Sequence, residues 1–170
     1  MKLLRRDSAG FTLIEMLIAL AFIGILSAIV ISALQDQSYK AKEAVAKETL
    51  QKLRNVIELY AVQHRGYPPG YVNKEFNASE SVVIKQLCSA TNSDGQDAPL
   101  GTEGFPLGQY LPEIPENPFN NNNTIIILAS NAPLPAKADD ATGWIYKPAT
   151  KTIRLNYSGT DSGGARYYDY

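Results

Sequence analysis

Cysteine and histidine each occur once in the 170 residues, as Cys88 and His64. A lone cysteine rules out an intramolecular disulfide and any zinc site built from several cysteines. A lone histidine leaves little material for a histidine-based catalytic cluster, which weighs against a conventional enzyme. Charge of one sign is also lacking. Sixteen Lys and Arg face seventeen Asp and Glu for a net charge of -1, so no general basic field would draw in nucleic acid. There is no Walker loop to cradle a nucleotide. Proline is absent from Phe11 to Arg65, and Gly24 is the only glycine in that stretch. What remains is apolar enough, at 45% hydrophobic residues, to build a packed core and exclude a fully disordered chain.

The charge balance hides an asymmetry. Met1–Gly10 holds Lys2, Arg5 and Arg6 against Asp7, and the rest of the chain carries a small acidic excess. Phe11–Leu34 then runs apolar for 24 residues, interrupted only by Thr12, Glu15, Gly24, Ser27 and Ser32. At ~1.5 Å per residue a helix of that length reaches about 36 Å, enough for a hydrocarbon core of about 30 Å. Basic residues on the leader side predict that Met1–Gly10 stays cytoplasmic and the remainder is exported. A secretory signal peptide, with Ile31-Ser32-Ala33 as a loose cleavage site, has too short an apolar region to match. A plain membrane anchor fits the length but gives no reason for Glu15. A carboxylate inside a membrane segment costs at least ~2.5 kcal/mol near the bilayer centre, less near the interface, and marks a function whose partner must be named.

Arg6-Asp7-Ser8-Ala9-Gly10-Phe11-Thr12-Leu13-Ile14-Glu15 closely resembles the leader and cleavage site of type IV pilins and type II secretion pseudopilins. The resemblance implies cleavage between Gly10 and Phe11 by the membrane prepilin peptidase, then N-methylation of Phe11. It implies an assembly role for Glu15, which would neutralise the Phe11 amine of a neighbouring subunit within an apolar bundle. That pairing would offset two desolvation costs and fix the axial register between subunits. Three segments follow from this: a leader at 1–10, a transmembrane and polymerisation helix at 11–34, and a periplasmic globular domain at 35–170.

Beyond Leu34 the pattern turns amphipathic. Val45, Ala46, Thr49, Leu50, Leu53, Val56, Ile57 and Tyr60 recur at steps of three and four, a stripe that must pack on something. Glu43 and Lys47 form a favourable i,i+4 pair. Gly66 and Tyr67-Pro68-Pro69 end the helix, with His64 in its last turn suited to a dipole role. A continuous rod from Phe11 to Arg65 would measure about 80 Å. Ser79 is a candidate cap for a second helix running to about Ser89, with Val82, Val83, Gln86 and Leu87 on one side. Ala90–Gly108 reads as a polar loop, Tyr110–Phe119 as a rigid proline-rich lead-in rather than a polyproline ligand, and Asn120–Asn123 as a turn or mobile tip. Thr124–Ala129 is a short strand, and Gly143–Tyr146 with Thr152–Tyr157 is a hairpin. The fold expected is α+β and pilin-like: a long N-terminal helix, half transmembrane and half amphipathic, packed on a small antiparallel β-sheet.

The order of these parts is similar to that of the major pseudopilin. Major pseudopilins carry a calcium-bearing loop near the C-terminus, which makes Asp161 and Asp169 the candidate metal ligands and calcium the candidate cofactor. A glycine turn running into a tyrosine-rich strand end is the other reading of those residues. Ser32 stands where many members have a helix-kinking proline, and Cys88 has no partner for the disulfide that closes the C-terminal loop of many pilins. The expected function is therefore structural: a processed, inner-membrane, single-pass subunit of a helical homopolymer. Its implied partners are further copies of itself, prepilin peptidase, the inner-membrane platform with its ATPase, and minor pseudopilins. A surface pilus subunit for adhesion, twitching or DNA uptake is the alternative within this architecture. A tethered periplasmic binding domain is the alternative outside it.

Overall fold

The computed structural model describes residues 11–77 and 79–170, and the side chains of all of these except 28–36. The leader 1–10, with Gly10 and its basic residues, lies outside the described residues. The chain divides into two compact units, 1–40 and 41–170. Helix α1, Leu13–Gln63, contributes to both.

In the first unit every described side chain from Phe11 to Ser27 is exposed, among them Phe11 at 78% and Leu13 at 83%. Ser27 removes its own polarity from this surface by donating its hydroxyl to the Ile23 carbonyl at 2.7 Å. Among the described residues no helix is long and apolar enough to cross a membrane. The expected span Phe11–Leu34 extends into the side chains that lie outside the description.

The second unit is built on the C-terminal half of α1. Ala46, Leu50, Leu53, Ile57 and Tyr60 are all at most 1% exposed, so the 3/4 stripe does face a core. Val45 departs from the stripe at 50% exposure, being one position off the buried row. The helix stops at Gln63 because Arg65 and Gly66 take left-handed backbone, and the Gly66 N–H returns to the Ala61 carbonyl at 2.7 Å. Strands β1 (Tyr71–Val72) and β2 (Glu75–Phe76) form a minimal hairpin. Helix α2, Glu80–Cys88, follows, burying Val83, Gln86 and Leu87. Ser79 occupies its N-cap position but makes no side-chain cap bond, in contrast to the sequence expectation.

The segment expected as a polar loop contains β3 (Ala90–Thr91) and β4 (Asp97–Ala98), paired antiparallel, with Thr91 also bridged to Leu107. The proline-rich lead-in inserts Leu111 and Ile114 into the core, so its apolar side chains are not displayed to a partner. A three-stranded sheet follows in the order β5 (Ile125–Ile127), β6 (Trp144–Lys147), β7 (Thr152–Leu155). The β6–β7 hairpin is antiparallel as expected, whereas β5 pairs with β6 in parallel. The long connection between Ile127 and Trp144 allows this, since parallel neighbours cannot be joined by a tight turn.

Trp144, Tyr146, Ile153 and Leu155 pack against α1 and α2 on one face. On the other, Ile145 joins Ala138 and Tyr168 in a smaller cluster. Both faces of β6 are therefore covered, which explains its unbroken apolar run. Asn120–Asn123 is no loose tip. Asn120 Nδ2 donates to the Thr142 carbonyl at 2.9 Å, and Asn117 Nδ2 to the Gly143 carbonyl at 3.0 Å. A Cβ on Gly143 would lie 1.9 Å from the Asn122 oxygen, so only glycine permits this approach.

Candidate functional site

The start of α1 is organised by two residues. The Thr12 N–H donates to Glu15 Oε2 at 3.0 Å, and the Thr12 hydroxyl donates to the same oxygen at 2.9 Å. In return the Glu15 N–H donates to Thr12 Oγ1 at 3.3 Å. This is a capping box, in which threonine and glutamate three positions apart satisfy each other's orphan donors. The carboxylate also lies at the positive end of the helix dipole. Glu15 is the only charged residue between Phe11 and Leu34. Its charge is thus held at a defined place on an otherwise uncharged helical surface. The family resemblance singles out Glu15 but says nothing of Thr12, although the T-x-x-E spacing alone would have found it.

The two candidate calcium ligands do not share a site. Asp161 Oδ1 accepts the N–H groups of Gly163 and Ala165, both at 2.8 Å, and Oδ2 accepts the Tyr170 hydroxyl at 2.8 Å. These bonds, the Tyr170 hydroxyl first, hold its carboxyl below the usual aspartate range. Asp169 turns to arginines instead, with Arg166 Nε at 2.7 Å and Arg154 Nη1 at 3.4 Å. Calcium requires six to eight oxygens with open lone pairs. No group of three or more metal-ligating side chains occurs among the described residues, and the donors present are already committed to N–H, O–H and guanidinium partners. As placed, Asp161 and Asp169 do not fit a shared calcium site.

His64 and Gln86 form the buried polar centre of the second unit. His64 stacks on Tyr60 at 3.6 Å between ring centroids, with Nδ1 at 2.8 Å from the Tyr60 carbonyl and Nε2 at 3.0 Å from Thr91 Oγ1. Burial pushes its pKa down, favouring the neutral ring. An exposed, dipole-stabilising cation is therefore not what the structure builds at the end of α1. Gln86 accepts the Gly70 N–H and donates to the carbonyls of Tyr71 and Gly95, each at 2.7 Å. One side chain thus ties the β1 and β4 loops to α2. The partners of the histidine are a main-chain carbonyl and the buried Thr91 hydroxyl. Cys88 is half-buried at the edge of a groove with Glu80, Ile84 and Glu113, where burial pushes its thiol pKa up and away from reactivity.

The family pattern described as the prokaryotic N-terminal methylation motif matches residues 5–31. The chain is similar to type II secretion system core protein G of Pseudomonas aeruginosa, 26% identical over 117 residues that cover 69% of this chain and 72% of that protein. The protein of the same name in Escherichia coli is 23% identical over 117 residues, 69% of this chain and 70% of its own. A fimbrial protein of Neisseria meningitidis is 28% identical over 86 residues, 51% of each chain. No solved structure matches. The chain carries a prepilin-type methylation motif and is homologous to type II secretion core protein G.

Proposed function

We propose that this chain is a pseudopilin, a structural subunit of the filament of a type II secretion system, with no substrate of its own to turn over. Prepilin peptidase cleaves it between Gly10 and Phe11, and Phe11 is then N-methylated. Residues 11–34 hold it in the inner membrane with the N-terminus cytoplasmic, and residues 35–170 form the periplasmic domain. Copies associate through their apolar helices into a helical polymer that helps export folded proteins. The platform, its ATPase and minor pseudopilins supply the mechanical work and the initiation.

The observation that carries this function is Glu15, a single carboxylate fixed at the start of α1, where every described apolar side chain from Phe11 to Leu26 is exposed. Cleavage at Gly10 would place a cationic amine on Phe11, one helical turn away. Within one chain the carboxylate already has Thr12. Between chains it is the group able to neutralise that amine, and a desolvated ammonium needs such a partner. A tethered binding domain would have no use for either feature.

The test is the mass of the membrane-extracted protein from cells with active prepilin peptidase. It should begin at a methylated Phe11. Retention of Met1–Gly10 in those cells would refute the proposal. The surface-pilus alternative rests on the fimbrial relative, which matches only half of the chain. Deleting the gene separates the two. Loss of secreted enzymes with unchanged surface filaments supports secretion, whereas loss of sheared surface filaments supports a pilus.

A further inference from the structure

Tyr170 is gripped from three elements. Its hydroxyl donates to Asp161 Oδ2 at 2.8 Å and lies 3.2 Å from Glu43 Oε1 on α1. The same Glu43 oxygen takes Lys47 Nζ at 2.7 Å, and that ammonium sits 4.6 Å from the centroid of the Tyr170 ring. Arg54, one further helical region along, donates to the Tyr170 main-chain oxygen. The ring packs edge-on against Tyr167 at 5.3 Å, and Tyr167 continues into Phe119 at 4.1 Å. Asp161 meanwhile closes its own loop through Gly163 and Ala165, beside the Thr160–Arg166 bridge.

We propose that the Tyr170 hydroxyl performs in this chain the task that a calcium ion would perform in a metal-bearing loop, tying the 158–166 segment to α1 without a cation. Two carboxylates on separate elements, Asp161 and Glu43, face one another across that hydroxyl. A bridging cation would suit such a pair, but the space between them is filled by a donor covalently fixed to the chain. Lys47 supplies the positive charge that two converging carboxylates need, and it does so from the helix itself. Burial and the two neighbouring carboxylates raise the Tyr170 pKa, so its single hydroxyl proton stays on the ring oxygen, bonded to Asp161 and shared more weakly with Glu43. The donor set explains why Asp169, the second expected ligand, is free to pair with Arg154 and Arg166 instead.

The experiment is thermal unfolding of the purified full chain in detergent, followed by its tryptophan signal, in EGTA and in excess calcium chloride. The melt reads the globular unit and is indifferent to whether the chain polymerises, so its failure is distinct from a failure of the pseudopilin assignment. Calcium is expected to leave the wild-type midpoint unchanged. Tyr170→Phe, which keeps the ring and its contacts, should lower the midpoint by about 2–6 °C, equally in both buffers. A wild-type midpoint that rises with calcium, and no longer does so in Asp161→Asn, would identify Asp161 as a metal ligand and overturn the proposal. So would a Tyr170→Phe midpoint equal to wild type.

Discussion

Charge and hydrogen bonding at Glu15 can be separated by substitution. Glu15→Gln leaves an acceptor for Thr12 and removes only the charge, while Glu15→Ala removes both. If the carboxylate serves as counter-charge to a neighbour's amine, both variants lose filament assembly, measured as cross-linked multimers in membranes. Only Ala also removes the acceptor that Thr12 uses at the helix start. A glutamine variant that multimerises like wild type would remove the counter-charge from the mechanism. His64 offers a second residue-scale prediction. Its folded pKa lies below its ordinary value, so the unfolded chain binds more protons as the pH falls. The stability held by the neutral ring is complete above about pH 6.5 and declines as the pH drops through that value toward the lower folded pKa. Urea midpoints across this range should fall more steeply for wild type than for His64→Phe, which cannot titrate. Parallel slopes would contradict a neutral buried ring.

Between elements, Gln86 is the tie whose loss should spread furthest. Gln86→Ala strands one main-chain N–H and two carbonyls in a site that is fully buried. A cost of about 2–4 kcal/mol is expected from chemical denaturation, against under about 1 kcal/mol for an exposed helical residue. The long α1, the short α2 and the β6–β7 hairpin were legible in the sequence because each rests on a local period or breaker, such as the 3/4 stripe and Gly66. The parallel docking of β5 was not legible, since it depends on a contact closed across the long Leu128–Gly143 connection. Nor were β3 and β4, whose two residues apiece carry no periodicity. The asparagine cluster forms the turn its residues suggest, but its fixed placement was not legible for a related reason. Asn120 and Asn117 resemble turn residues locally, and only their distant carbonyl partners make them rigid. At the candidate sites, composition pointed to Glu15 through the cost of its charge. It could not reveal that Asp161 and Asp169 part company, because that outcome is set by where the fold places Tyr170, Arg166 and the β7 residue Arg154.

At the level of the molecule, α1 supplies the exposed apolar surface of the first unit and the central core row of the second. The two tasks should respond to different substitutions. Leu53→Ala, at a fully buried position, should lower stability by about 2–5 kcal/mol in denaturant titrations. Glu15→Ala should leave the midpoint of that same transition where it was, while abolishing multimers. A shared loss in both assays would mean that folding and association are not separable as proposed. The capping box has one further consequence. Because both Thr12 bonds fall on Oε2, the other carboxylate oxygen, Oε1, keeps its lone pairs for an incoming cationic donor. Docking at that carboxylate becomes an addition to the cap rather than its replacement, and a subunit that departs keeps its own threonine contact. Such a joint leaves the helix start intact whether or not a neighbour is attached.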